Sequence, residues 1–268
     1  MCGIVGYVGA NATTRDAKDV IIDGLRRLEY RGYDSAGVAV VNDQSIECRK
    51  KAGKVADLEA EIANNPIAAS NLGIGHTRWA THGGPTDANA HPHVVGDGRM
   101  AVVHNGIIEN FSHLKAELAE KGYTFKSETD TEVAGTLLLD IYNTEADGDL
   151  TRAMQLAANR LEGAFTLLAI HPDHPDRIVA ARWNSPLVIG VGEGENFLSS
   201  DVAGFIEFTR DAVEMDNGQI VTLTADGYDV IDFDGTPAEA KPFKVEWDVT
   251  AAEKGGYNSC LLYTSPSP

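Results

Sequence analysis

The chain opens Met1-Cys2-Gly3-Ile4-Val5-Gly6. Removal of Met1, which a small second residue permits, leaves a cysteine with a free α-amine, so that thiol and amine sit on one residue. Reference pKa values of ~7.7–8.0 for the amine and ~8.5 for the thiol leave the amine partly unprotonated near neutral pH. It can then take the thiol proton, directly or through water, and activate the sulfur as a nucleophile. Gly3 lets a substrate approach the backbone closely. The competing reading is a cysteine in a frayed end; an apolar run that starts at once after it favours a terminus fixed in the fold.

A cysteine attacking an amide carbonyl also needs donors for the oxyanion, worth roughly 2.7–4 kcal/mol each. It needs groups that hold the substrate, and it needs water kept out until the acyl-enzyme forms. His104-Asn105-Gly106 closes an apolar strand, and the Asn105 amide with the Gly106 N–H is the right chemistry for an oxyanion hole. Asn-Gly is equally a common hairpin turn. In Gly75-His76-Thr77-Arg78-Trp79-Ala80-Thr81-His82-Gly83, Arg78 can clamp a carboxylate bidentately. Thr81 and His82 can add hydrogen bonds there, and Trp79 can form an apolar lid. Against these stand a surface ion pair for Arg78 and a core position for Trp79. Asp130, in Thr129-Asp130-Thr131-Glu132, can receive a substrate ammonium, but its place at a helix start also fits a cap or first-turn acid.

Other chemistries fit less well. His76, His82, His91, His93 and His104 fall in one region, and His91-Pro92-His93 could chelate a metal with Asp87 or Asp97. The spacing matches no zinc signature, and no helical His-x-x-x-His is present. Gly190-Val191-Gly192-Glu193-Gly194 lacks the Lys-Ser/Thr of a phosphate loop and carries acid where phosphate would sit. The strand–helix context of a dinucleotide site is missing.

Periodicity supplies the elements that must position these groups. Residues 3–8 are a short apolar run, read as a buried strand. Residues 16–28 read as a helix with Val20, Ile21, Leu25 and Leu28 on one face. Strands are expected at 35–41, 45–51, 73–79 and 100–107, and helices at 55–63, 111–121, 130–142 and 150–161. Further strands are expected at 163–170, 177–181, 187–191, 219–224 and 228–233. Residues 81–99 form a long polar loop, a length usually reserved for function or disorder. Two blocks of strands bracket a central group of helices, consistent with two sheets carrying helices on their outer faces.

Composition narrows the setting. Of 268 residues, 43% are hydrophobic and 23% charged, which is globular composition, and the net charge is −18. So acidic a chain argues against a nucleic-acid partner and against docking on an anionic membrane. No stretch approaches the ~20 apolar residues of a membrane span, and no signal peptide is read. Cys2, Cys48 and Cys260 are too few for a disulfide framework, which points to a reducing, cytoplasmic setting.

Six motifs stand in order: Met1-Cys2-Gly3-Ile4-Val5-Gly6; Arg27-Leu28-Glu29-Tyr30-Arg31-Gly32-Tyr33-Asp34-Ser35-Ala36-Gly37; Gly75 to Gly83 as above; Asn89-Ala90-His91-Pro92-His93; His104-Asn105-Gly106-Ile107-Ile108-Glu109-Asn110; and Ser127-Glu128-Thr129-Asp130-Thr131-Glu132. Together they resemble the glutaminase domain of the glutamine–fructose-6-phosphate aminotransferase (isomerizing) family, class II amidotransferases of the N-terminal-nucleophile type. The resemblance runs to about Tyr257. It implies an α+β fold, a four-layer αββα sandwich of two antiparallel sheets. It implies that Cys2 attacks the side-chain amide of L-glutamine to form a γ-glutamyl thioester, with Asn105 and Gly106 as oxyanion donors. Arg78 would hold the α-carboxylate with Thr81 and His82 near it, and Asp130 the α-ammonium. Arg31 would lie beside the nucleophile, and Tyr33 and Trp79 would help close the site. No cofactor or metal is implied.

Amidophosphoribosyltransferases share Cys-Gly-Ile at the start but carry His-Arg-Gly-x-Asp where Tyr-Arg-Gly-Tyr-Asp stands here, so the spelling favours the aminosugar family. Residues 1–240 would be the glutaminase domain, 241–257 the start of a linker, and 258–268, with their alternating Ser and Pro, a disordered or foreign tail. In the family the chain continues into domains that bind fructose 6-phosphate, and the full-length enzyme is a homodimer. The expectation is thus a truncated chain that hydrolyses glutamine without making glucosamine 6-phosphate. Another class II amidotransferase, an inert fragment and a histidine-based metal hydrolase are the competing readings.

Overall fold

Seven consecutive buried residues form the first strand, β1 (Gly3–Gly9), in a computed structural model that describes residues 2–10, 15–42 and 45–246. Helix α1 (Ala17–Leu28), strands β2 (Ser35–Asn42) and β3 (Ser45–Ala52), helix α2 (Val55–Asn64) and strand β4 (Leu72–Arg78) follow. Next come β5 (His93–Val95), β6 (Met100–Ile108) and three helices, α3 (Phe111–Glu120), α4 (Asp130–Thr144) and α5 (Leu150–Ala158). The remaining strands are β7 (Gly163–Ile170), β8 (Arg177–Trp183), β9 (Val188–Val191), β10 (Glu195–Ser199), β11 (Asp211–Glu214), β12 (Gln219–Thr224), β13 (Tyr228–Asp232) and β14 (Lys241–Lys244).

The strands build an eight-stranded sheet, β14-β11-β9-β10-β1-β4-β2-β3, and a six-stranded sheet, β13-β12-β8-β7-β6-β5. Pairing between these neighbours is antiparallel, with β1 running beside β10 through Val5↔Ser199 and beside β4 through Gly3↔Thr77. Alternation along each strand sorts its side chains between two cores. In β1, Ile4 and Val8 enter the core between the sheets, while Val5 and Tyr7 enter the core under α1. In β6, Ala101 and Val103 face the other sheet, whereas Met100 and Val102 face α4. Apolar faces on both sides of both sheets require four layers: α1 and α2, the larger sheet, the smaller sheet, then α3, α4 and α5. This is the expected αββα sandwich.

The helices start where their caps dictate. The Asp16 side chain accepts from Lys18 N ahead of α1, and Thr129 accepts from Glu132 N ahead of α4. Val20, Ile21, Leu25 and Leu28 of α1 are buried as the periodicity predicts.

Four strands were not legible. β5 lies within the polar segment read as loop, and β10, the central partner of β1, carries Glu195 and Asn196 at its start. Those two polar residues are buried because they have partners. Tyr7 Oη donates to Glu195 Oε2 at 2.8 Å, and Asn196 Nδ2 donates to Thr224 O at 2.7 Å. β11 is short with acidic ends. β14, in the segment read as the start of a linker, pairs with β11 through Ala212↔Phe243. The rest of that segment from residue 247, the tail 258–268 and Cys260 lie outside the described residues. Among the described residues no helix is long and apolar enough to cross a membrane.

The seam between the sheets carries the architecture. Leu168 is fully buried there. Leu168→Ala should cost about 2–5 kcal/mol, read as a lower urea midpoint at unchanged slope.

Candidate active site

Cys2 stands directly before β1, and its sulfur lies against the chain leaving β4. Trp79 N donates to Cys2 Sγ at 3.1 Å. Burial pushes the Cys2 thiol pKa up, while the Trp79 hydrogen bond and the charge of Arg78 oppose the rise. Burial thus favours the protonated thiol, while the neighbouring Trp79 N–H favours the thiolate.

The segments around it are locked backbone to backbone. Asp34 N donates to Arg78 O at 3.0 Å, and Ala80 N donates to Asp34 Oδ2 at 2.8 Å. A Cβ at Gly32 would stand 2.8 Å from the Arg78 carbonyl carbon, so only glycine permits this approach.

Asn105 and Gly106 lie inside β6, paired with Thr166 and Phe165 of β7. The hairpin-turn reading of Asn-Gly is therefore overturned: the strand runs on through both residues to Ile108. Asn105 Nδ2 donates to Cys2 O at 3.1 Å. Gly106 has φ +125°, and a Cβ there would sit 2.0 Å from Ala164 O, so no other residue fits without moving β7.

Arg78 is buried, and its guanidinium donates to the carbonyls of His82, Gly83 and Gly84 rather than to a surface carboxylate. Asp130 is the first residue of α4, as a first-turn acid would be, but its carboxylate is buried and accepts from Ile108 N at 2.9 Å. A basic and an acidic side chain thus reach one cavity, each tied to backbone and each with valences left over.

That cavity has a volume of about 360 Å³, at the small end of the ~300–1,000 Å³ usual for ligand sites. Cys2, Asn105, Gly106, Arg78 and Asp130 line it, together with Arg31, Trp79 and Thr81. Arg31 NH2 donates to Asp201 Oδ2 at 2.6 Å, with its side chain reaching the wall. Trp79 is 48% exposed, so it is not a core residue. Tyr33 and His82 are not part of the wall. Tyr33 stands behind Trp79, ring edge to face at 5.7 Å, and the His82 ring packs against Phe111 at 5.1 Å.

Sequence reasoning assigned no part in this site to Thr129, Thr131 or residues 184–186, which also line the cavity. The two threonines are partners of the histidines weighed as metal ligands. Thr131 Oγ1 is 2.7 Å from His91 Nε2 and 3.0 Å from His104 Nδ1, and Thr129 Oγ1 is 2.9 Å from His93 Nε2. His76 stacks on His91 at 4.4 Å. Asp87 instead bonds Lys51 and the Ala52 N–H at the surface. Among the described residues no group of three or more His, Cys, Asp or Glu is arranged to hold a metal ion. Residues 184–186 come from the turn after β8, and no local signal ties them to a motif more than 70 residues upstream.

The thiol thus stands at the head of a central strand, sharing one cavity with an amide and two opposite charges. The family model for the glutamine amidotransferase domain matches residues 63–232, and the chain belongs to that family. It is 72% identical to a glutamine–fructose-6-phosphate aminotransferase [isomerizing] of Corynebacterium efficiens, over 97% of this chain and 42% of that protein. It is 69% identical to the same-named protein of Corynebacterium glutamicum, again over 97% and 42%. The chain therefore spans about 42% of the length of these curated relatives. A solved glutamine phosphoribosylpyrophosphate amidotransferase from B. subtilis superposes with a TM-score of 0.71 at 23% identity, over 87% of this chain and 49% of that one. That likeness carries the fold.

Burial holds the inner histidines neutral: it lowers the pKa of His91 and His93, and that of His76 to about 3. Unfolded histidines take up protons below pH ~6.5, and these do not. Stability is therefore fully present above that pH and falls below it, by about 1.4 kcal/mol per pH unit for each such histidine. For His76 the loss continues down to about pH 3. Urea midpoints between pH 7 and 5 should fall accordingly. Gly106→Ala should destabilise by more than ~1 kcal/mol and shift β7, read as lost protection of the Ala164 and Phe165 amides in hydrogen exchange.

Proposed function

We propose that this chain hydrolyses the side-chain amide of L-glutamine and supplies the ammonia to an aminosugar-forming partner domain. The observation that carries the reading is the placement of the Cys2 sulfur in a small cavity whose wall holds buried Arg78 and buried Asp130. An α-amino acid brings a carboxylate and an ammonium, and this pair of opposite charges suits it. Arg78 takes the carboxylate, with Thr81 beside it and His82 behind, and Asp130 takes the ammonium. Arg31 flanks the nucleophile, and Trp79, backed by Tyr33, covers the cavity.

With Met1 removed, the Cys2 amine accepts the thiol proton and the sulfur attacks the amide carbon. A C–S bond forms, and the carbonyl electron pair moves to oxygen, where Asn105 Nδ2 and the Gly106 N–H receive it. Collapse of this intermediate breaks the C–N bond. The leaving nitrogen takes the proton from the amine and departs as ammonia, leaving a γ-glutamyl thioester. Water, deprotonated by the same amine, then releases glutamate and restores the thiol. In the longer relatives' architecture the ammonia would pass to a domain holding fructose 6-phosphate, giving glucosamine 6-phosphate. A cytoplasmic setting and a homodimeric full-length assembly complete the proposal.

The test is direct. Purified chain, shown by intact mass to lack Met1, should release glutamate and ammonia from glutamine, unaffected by chelator, and Cys2→Ala should reduce turnover to background. Cys48→Ser should leave the rate unchanged, because the Cys48 thiol is half-buried away from the cavity and desolvation pushes its pKa up to about 11. A folded Cys48→Ser protein without activity, or full activity with Met1 retained, would overturn the assignment. Aminosugar formed by this chain alone would show that the sugar half is not needed.

A further inference from the structure

His76 of β4 belongs to the larger sheet, and Asn105 of β6 to the smaller one. The proposed oxyanion donor therefore reaches the nucleophile across the seam between two sheets that, among the described residues, share no strand pairing. The His76 side chain bridges that seam from the other direction. His76 Nε2 lies 2.9 Å from Asn105 Oδ1 and 3.0 Å from His104 O. Both neighbours are acceptors, so Nε2 carries the proton and donates to them. Nδ1 is buried with no partner among the described residues, which agrees with that tautomer. The buried ring is packed in place, stacked on His91 with planes 24° apart, and His91 is itself bonded to Thr131.

This arrangement decides which way the Asn105 amide faces. Turned by 180°, the amide would set its NH2 against the His76 N–H, donor against donor, and its oxygen against the Cys2 carbonyl. With His76 in place, the oxygen faces inward and the nitrogen faces Cys2. We propose that His76 is a positioning residue for the glutaminase reaction, holding the Asn105 amide so that its nitrogen is presented to the oxyanion. The proposal rests on the reading of Asn105 as an oxyanion donor. His76 lines the back of the same cavity, but its ring N–H is spent on Asn105 Oδ1 and the His104 carbonyl, so it acts through Asn105. It remains neutral across the working pH range, so it contributes orientation and no proton transfer.

The experiment is glutamine hydrolysis by the Met1-processed chain carrying His76→Phe, His76→Gln or His76→Asn, each checked for folding by circular dichroism and thermal melting. His76→Phe should lower kcat by about 10–100-fold, less than the ~100–1,000-fold for losing an oxyanion donor outright, with KM for glutamine changed less than about twofold. Added to Asn105→Ala, His76→Phe should cost less than about threefold more, because the group it orients is gone. Glutamine can set an amide N–H where Nε2 stands and asparagine cannot, so His76→Gln should recover most of kcat and His76→Asn should not. If His76→Phe fails to fold, the Gln and Asn variants decide alone. Losses that multiply in the double variant, a near-normal kcat in His76→Asn, or no difference between Gln and Asn would overturn the proposal. An Asn105→Ala protein with normal kcat, or a wild-type chain without turnover, would instead overturn the reading on which it stands.

Discussion

The first strand of the chain runs through the interior of the larger sheet, and the site depends on that placement. Chain ends usually fray. Here β1 is hydrogen-bonded to β10 on one side and β4 on the other, and both of its faces are buried. Its side chains alternate between the core under α1 and the core between the sheets, so a slip of register would misplace both sets at once. The residue just before the strand is therefore anchored to the sheet, with Trp79 N–H on its sulfur and Asn105 on its carbonyl. A nucleophile at a chain end would otherwise lose its geometry to conformational entropy.

The seam between the sheets changes character along its length. Over most of it, Ile4, Ile74, Val103 and Leu168 make it apolar. At the end where Cys2 stands, it carries His76, His104 and Asn105, all buried. Such groups are tolerated only when bonded, and the hydroxyls of Thr129 and Thr131 at the start of α4 supply partners for three of the histidines. The helix start thus does two things: it places the Asp130 carboxylate, and it satisfies the histidines that pack behind the cavity. Arg78 and Asp130 follow one rule. Each is buried, and each is steadied by backbone groups rather than by a direct bond to the other.

The elements that read clearly from pattern were those whose periodicity came from burial alone, namely β1, α1, β6 and the apolar α4. β10 did not, although it is the strand that closes β1 into the sheet. Its Glu195 and Asn196 look solvated in sequence, and only the positions of Tyr7, Thr224 and Ala225 make them inner residues. Asn105-Gly106 shows the same limit at the site. As a dipeptide it reads as a turn; in the fold it is strand, because β7 pairs across it and the Ala164 carbonyl fills the space that a side chain at Gly106 would need. His82 and Tyr33, placed at the substrate by resemblance, do not line the cavity and instead pack against Phe111 and Trp79.

Residue chemistry and local periodicity were written in the chain itself: a thiol next to the terminus, an amide, a guanidinium and a carboxylate, each at the edge of a recognisable element. Six ordered motifs were enough to carry the family resemblance. Their convergence was not local. Cys2 and Asn105 are 103 residues apart and meet through one hydrogen bond; Cys2 leads into a strand of the larger sheet and Asn105 lies in the smaller one. Only packing of those sheets, driven by apolar faces that carry no record of which partner they will meet, brings the sulfur, the amide and the two charges into one small cavity. The same packing gives the Asn105 amide partners from both sides, its nitrogen on the Cys2 carbonyl and its oxygen on a histidine from the opposite sheet.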